Sequence, residues 1–536
     1  MKIYSVLAAI VLSLALLSQW VRLPLSFQGV WMSPDETANS LSAMYFADHG
    51  SFLIPNLSLK DLPWVFPRSF VPIIENGAVA LVGFLGMPLI LSLAYKAIGI
   101  YGILFFTPLF ALISLWPLWK SLPKEWSKGI KWSVLLVWIS FPMVIIYANR
   151  GTFSNLFITC LAIWLWWLVV ELKSGWKWPV AGAVLGLACV IRPTEAAWLV
   201  PLAGFAALYQ IQITKNKIKA SKIIWLAVMF VLVTGVGAYL GYKTYGQWFI
   251  SGYQVRPDFA MATQTSIDQV SGQNSISVLK ALPFGVHPRA ILWNAYHYLV
   301  EILWPWLLMV ALAGYFCLKE EIWKKPEKWI VAVFAWTAIW LTAFYGNGVY
   351  QDHVGVNVAS MGNSYLRYLL PLSLLAAASA GFVVARLWKY WSLRILSLAM
   401  IVALIVVGQW SALARDDEGM LANQEELARY AEIRDQARSV INSNAIILSD
   451  RSDKIFFPVF NAASPMPDDK SIQAILDAGY SVALFMQTQS SIKSAQWWDR
   501  GFDLKPVFSD ANQTMYTVTG NGNQQEFPMV DQSPTL

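Results

Sequence analysis

Ser33-Pro34-Asp35-Glu36-Thr37-Ala38-Asn39-Ser40 sets two adjacent acids, behind a proline, just beyond the first long apolar run of the chain. A helical stretch follows from Ala38 to Asp48 and stops at Gly50. Pro34 and the acids suit a helix start, where the positive end of the dipole attracts carboxylates. They suit equally well a carboxylate at the mouth of a membrane cavity, acting as general base or metal ligand. The residues alone leave both readings open, and what surrounds them has to narrow the choice.

The surroundings are those of a membrane. Of 536 residues 57% are apolar and 13% are charged, against roughly 25% charged in an ordinary soluble domain. Mean hydropathy is +0.49. Such a chain cannot cover a globule with polar groups, which excludes a soluble enzyme, a disordered protein and a nucleic-acid binder. The net charge of +7 then reads as lysine-rich loops on the cytoplasmic side. Cys160, Cys189 and Cys317 sit inside apolar runs and imply no disulfide framework.

Runs long enough to span occur near 3–23, 100–119, 132–147, 153–170, 178–191, 195–209, 223–242, 292–317, 329–345, 365–385 and 395–410. The first starts at Met1-Lys2 and lacks a small-residue cleavage site, so it reads as a retained anchor. With the N-terminus in the cytoplasm, the loops 120–131, 171–177, 210–222, 318–328 and 386–394 lie inside. They hold 17 Lys and Arg in 52 residues, whereas the opposite loops hold 9 in 152. That bias is the direction the positive-inside rule requires, and it puts everything after Ser411 outside. The lysines at 215, 217, 219 and 222 read as topology determinants that meet anionic lipid. Residues 73–98 are apolar enough to span, yet counting them would invert the lysine bias. They also carry Gly77, Gly83, Gly86 and Pro88, and are expected as helices at the outer interface.

The expected architecture is a polytopic α-helical membrane protein of about eleven spans with a small external C-terminal α/β domain. Residues 1–410 form the membrane region, with 24–99 as its first external loop, and 411–520 the external domain. In that domain 413–443 reads as a charged helix, 471–478 as a helix ending at Gly479, and 445–449, 481–486 and 514–519 as strands. Residues 521–536, rich in Asn, Gln, Gly and Pro, are expected to be disordered.

A long first external loop opening with Asp35-Glu36, interfacial segments after it and many spans together resemble the GT-C fold glycosyltransferases. The nearest relatives in pattern are the protein O-mannosyltransferases and the lipid A aminoarabinose transferases. Asn149-Arg150-Gly151-Thr152, Arg192-Pro193-Thr194 after Gly186-Leu187-Ala188-Cys189, and Tyr365-Leu366-Arg367-Tyr368-Leu369-Leu370-Pro371 look compatible with that family. The resemblance covers roughly 1–410 and does not extend to the soluble tail.

It implies transfer of a sugar from a polyprenyl-phosphate or diphosphate donor to an external acceptor hydroxyl, with inversion, in the cytoplasmic membrane. The acceptor would be a lipid, glycan or protein. Asp35 would be the general base, with Glu36 orienting it, binding acceptor or capping the helix. No second acidic motif is clear; after the third span the chain offers Asn149, Arg150 and Asn155. No metal ligand set is assigned, and a divalent cation at Asp35 and Glu36 stays open.

A stabilised phosphate leaving group needs cations. Arg367, near the outer end of a span, is the first candidate, because a guanidinium there is expensive without an anion or water and its fork suits phosphate. Snorkelling or an acidic partner is the alternative. Arg192 and Arg150 follow; Arg192 has a local partner in Glu195, and Arg150 is equally a simple flank. His287 and Arg289, in the loop 243–291, are candidates for phosphate or acceptor, or else a solvated loop; His353 has the same two readings. Trp164, Trp166, Trp167, Trp304 and Trp306 fit an aromatic belt better than sugar stacking. The competing functional readings are a lipid-linked substrate transporter or flippase, and a non-catalytic envelope scaffold.

Overall fold

The computed structural model describes residues 16–215, 218–255, 285–348, 350, 359–415, 418–488, 497 and 499–520. Most of the expected first span, the tail 521–536 and His353 lie outside the described residues. The chain divides into two compact units. The first takes the chain to Phe27, Asn39–Phe52 and Val82–Glu425; the second takes Gln28–Ala38, Leu53–Leu81 and the chain from Glu426. Helix α1 (Pro34–His49) is shared between them. Residues 28–38 and 53–81 of the first loop group with the tail in the second unit, and Leu62 and Val65 are buried in its core.

The first unit is helical. It runs through α2 (Gly86–Ile98), α3 (Ile100–Ser121), α4 (Lys128–Ile139), α5 (Pro142–Asn149), α6 (Ser154–Val170) and α7 (Lys177–Ile191). It continues with α8 (Ala196–Thr214), α9 (Ala220–Tyr245), α10 (Pro288–Asn294), a π-helical Ala295–Ile302 and α11 (Trp304–Lys319). It ends with α12 (Lys328–Gly346), α13 (Ser364–Tyr368), α14 (Leu372–Leu387) and α15 (Arg394–Ala414); the four-residue helices Arg22–Leu25 and Gly252–Val255 also belong to it. Each apolar run expected between 100 and 410 coincides with one of these or with a broken pair.

Among the described residues five helices are long and apolar enough to cross a membrane, and seven if each bent pair is one span. The bends are 56° between α4 and α5 and 96° before α11. Pro142 and Pro305 stand just after the two breaks, where a missing N–H costs nothing. Helices α6, α7 and α14 are shorter, at 17, 15 and 16 residues. The protein is a multi-pass membrane protein.

The segment 73–98 departs from the helices expected of it. Phe70–Ile73 (β2) pairs antiparallel with Ala78–Leu81 (β3), which also pairs with Ile54–Pro55 (β1). Apart from a 3-10 turn at Ile74–Asn76, only α2 is helical there. Its 13 residues rise about 20 Å, short of the ~30 Å hydrocarbon core. Gly86 and Gly102 let α2 lie against its neighbours. A Cβ on Gly86 would stand 2.5 Å from the Ile191 nitrogen, and one on Gly102 would stand 2.1 Å from the Ala94 carbonyl.

The chain leaves α15 at Arg415 and re-enters a helix at α16 (Met420–Val440), so the single helix expected over 413–443 is two, and from Glu426 it belongs to the second unit. Strands β4 (Ile446–Leu448), β5 (Asn461–Ala463), β6 (Val482–Gln487), β7 (Phe502–Asp510) and β8 (Gln513–Gly520) form a sheet ordered β5-β4-β6-β8-β7. The first three are parallel, and β8 pairs antiparallel with both β6 and β7. Helices α17 (Asp453–Phe456) and α18 (Asp469–Asp477) complete it. Alternation along the strands divides the core. Ile446, Leu448, Val482, Leu484, Tyr516 and Val518 face one side with Ile472 and Ile475 of α18, joined by Leu62 and Val65 from the first loop. Ile447, Ala483, Phe485 and Met515 face the other with Ile433 and Ala437 of α16 and Ile441 just past its end. Both faces are covered, so the central strands read as unbroken apolar runs. Strands β5 and β7 escaped the sequence reading because β5 is short and β7 carries Lys505 and Pro506 at an edge.

Candidate functional site

The acid pair stands in the second unit. Ser33 accepts from the Glu36 amide at 3.2 Å, and its carbonyl accepts from the Thr37 amide at 3.1 Å, which starts α1 immediately before the acids. Glu36 is buried and Asp35 half-buried. Ser69 donates its hydroxyl to Asp35 Oδ1 at 2.6 Å. The stretch before α1 is tethered from the tail: Arg434 donates to the Gly29 and Gln28 carbonyls at 3.0 and 3.2 Å, and Lys454 to the Met32 carbonyl at 2.5 Å. Ser69, Arg434 and Lys454 were invisible to sequence reasoning, since no local pattern ties Ser69 to a residue 34 positions away, or Arg434 and Lys454 to residues 405 and 422 positions away.

The arginines stand in the first unit, and three of them converge. The guanidinium carbons of Arg150 and Arg367 lie 4.9 and 4.2 Å from the centre of the Phe153 ring. Arg367 also lies 5.2 Å from the Tyr368 ring, and Arg192 lies 4.3 Å from that same ring. Tyr368 stacks on Tyr345 at 4.2 Å, and Arg192 is 5.4 Å from Tyr345 as well. Phe153 and Tyr368 thus join guanidinium groups contributed by the ends of α5, α7 and α13. Cation–π contact is favourable in such partly desolvated places.

Polar partners are arranged around them. Arg192 Nε lies 3.1 Å from Glu195 Oε1, the local pair that the sequence allowed. Tyr345 donates to the same Oε1 at 2.6 Å, and Trp198 Nε1 donates to Oε2. Arg367 donates to Ser364 Oγ at 3.1 Å and to the Tyr368 hydroxyl at 3.2 Å. Tyr350 donates to the Tyr345 carbonyl at 2.9 Å, and its ring lies 5.7 Å from Tyr368. Arg367 is only 9% exposed. Asn149, from the same motif as Arg150, has a structural task. Its amide accepts from Leu23 at 2.9 Å and donates to the Gln19 carbonyl at 2.6 Å, holding the chain before α1.

His287 and Arg289 are placed elsewhere in the first unit. The His287 amide donates to Asn347 Oδ1 at 2.5 Å, and its buried Nδ1 has no hydrogen-bond partner among the described residues. Arg289 is exposed at the start of α10. No contact among the described residues joins either to Phe153 or Tyr368. Among the described residues no group of three or more His, Cys, Asp or Glu is placed to hold a metal ion.

No family model matches the chain, and no curated protein matches its sequence. Among solved structures, ArnT from Cupriavidus metallidurans bound to undecaprenyl phosphate superposes with a TM-score of 0.55 at 11% identity. That match covers 95% of this chain and 97% of ArnT. Apo ArnT from the same organism gives 0.53 at 11% identity, over 96% and 98%. The chain has the GT-C fold. At 11% identity the likeness is one of fold, and the GT-C scaffold here carries side chains whose roles must be argued from this chain.

Proposed function

We propose that this chain is a glycosyltransferase that moves a sugar from a polyprenyl-phosphate or diphosphate donor to an acceptor hydroxyl at the external face. The observation that carries the reading is the convergence of Arg150, Arg192 and Arg367 on Phe153 and Tyr368. In ArnT, a protein of the same fold, undecaprenyl phosphate is bound. Three guanidinium forks offer a phosphate leaving group several donors at once, which is what departure of that group needs. Planar delocalised cations beside aromatic rings are also less strongly hydrated than ammonium groups, so an incoming anion displaces less water.

Asp35 supplies the base. The acceptor oxygen attacks the anomeric carbon as its proton passes to the Asp35 carboxylate. The bond from that carbon to the phosphate oxygen breaks, and the phosphate leaves with the electron pair. A single displacement inverts the anomeric configuration. Glu36 orients Asp35 or the acceptor, while His287 and Arg289 serve phosphate or acceptor from their separate segment.

Purified protein in lipid nanodiscs, given polyprenyl-phosphate sugars, should release polyprenyl phosphate and form a glycosylated acceptor. Asp35→Asn should lower that rate by about 10²–10⁴-fold, the usual loss for a removed general base. Chelator sensitivity of the same assay decides whether a divalent cation acts at Asp35 and Glu36. A correctly inserted Asp35→Asn protein with full activity would sink the mechanism.

A further inference from the structure

Asp453 and Lys454 are consecutive residues of the tail, and each reaches a segment of the first loop on which Asp35 depends. Asp453 is fully buried. Its Oδ2 accepts from the Arg68 main-chain amide at 2.8 Å and its Oδ1 from Arg68 Nε at 2.8 Å, and Arg68 also donates to the Arg451 carbonyl. Lys454 holds the Met32 carbonyl at 2.5 Å, three residues before Asp35. Between these anchors Ser69 donates to Asp35 Oδ1 at 2.6 Å. Ser69 has φ +61°, a left-handed conformation that a side-chain-bearing residue adopts only when its surroundings enforce it. The surroundings do enforce it. Asp453 fixes residue 68, while residue 70 enters β2 opposite Leu81 and sets its ring edge-on to Phe457 at 5.3 Å.

We propose that Asp453 and Ser69 are positioning residues for Asp35. The tail clamps residues 68–69 so that the Ser69 hydroxyl orients the carboxylate, a role that rests on Asp35 being the base. A hydroxyl bonded to one carboxylate oxygen keeps the group from rotating and so holds it in one orientation toward the acceptor. The second unit is then part of the catalytic apparatus.

Ser69→Gly separates orientation from folding, because glycine adopts φ +61° freely and lacks the hydroxyl. Ser69→Gly should keep the melting temperature and donor KM of the parent while lowering kcat about 10- to 100-fold, the scale of a lost hydrogen bond to a charged group. Asp453→Asn should lower kcat in the same way, since an amide cannot accept both Arg68 bonds. In an Asp35→Asn background Ser69→Gly should cause no further loss, whereas a merely structural role would give additive losses. Full kcat in Ser69→Gly, or additivity with Asp35→Asn, would overturn the clamp and leave Asp35 as the base. Full activity in Asp35→Asn alone would instead remove the base, and the clamp with it.

Discussion

Arg192 and Arg367 share the Tyr368 ring but differ in what else holds them. Arg192 is tied to a buried carboxylate that also takes bonds from Tyr345 and Trp198. Removing one member of a buried ion pair strands the other and costs on the order of 3–5 kcal/mol. Arg367 donates to two hydroxyls, Ser364 and Tyr368, which water replaces more cheaply. Arg192→Ala should therefore depress the melting temperature clearly more than Arg367→Ala. Arg367→Ala should raise donor KM and lower kcat by about tenfold or more with a smaller thermal effect. Arg367→Lys should recover little, because an ammonium keeps the charge and loses the fork. Equal melting temperatures for the two alanine variants would show that the Glu195 pair contributes no stability. The residue reading of the sequence was half complete here. It named all three arginines and the Glu195 pair but gave no role to the rings that bring them together, since Phe153 and Tyr368 are ordinary aromatic positions to any local pattern.

At the scale of elements, helices α7 and α9 pack through small residues. Gly182 and Gly186 stand one turn apart on α7. A Cβ on Gly182 would come within 2.1 Å of the Leu226 carbonyl, and one on Gly186 within 3.0 Å of the Phe230 carbonyl. From the other side, Gly237 faces Val190 at 2.7 Å. In lipid there is little hydrophobic force to join helices, so close backbone approach supplies the dispersion contacts instead. Helix α9 depends on that seam, because much of its remaining surface faces outward. Gly182→Leu must push the backbones apart and should destabilise the protein by about 1–3 kcal/mol, as overpacking does. Thermal melting in nanodiscs would read this, and an unchanged melting temperature would show that the seam gives way freely. The spacing is legible in Gly182-Ala183-Val184-Leu185-Gly186. A short apolar run signals a helix without saying which face meets a partner.

For the whole molecule, charge sets the expected orientation. The loops rich in lysine should lie in the cytoplasm and residues after Ser411 outside. Ser127, exposed at the start of α4, and Ser439, exposed on α16, are suitable reporters. In intact cells Ser439→Cys should react with a membrane-impermeant thiol reagent and Ser127→Cys should not. Cys160 and Cys189 are buried, and Cys317, half-buried, is replaced by serine in both reporters so that it adds no background. Reaction of both from the same side would overturn the orientation.

Apolar runs between 100 and 410 determined the helices of the first unit, because in lipid every backbone group must be satisfied locally and hydropathy alone decides which segments enter. Short apolar runs bounded by polar and turn residues likewise determined β4, β6 and β8. Asp35 and Glu36 stood out for the same reason that the helices did, as charge where the chain carries little. What only the tertiary structure decided is non-local. Residues 28–38 and 53–81 join the tail's unit, Asp453 reaches Arg68 and Ser69 reaches Asp35. Two aromatic rings gather arginines from α5, α7 and α13. Such pairings depend on which surfaces are left to bury once the local elements exist, and a linear pattern of residue types holds no record of that.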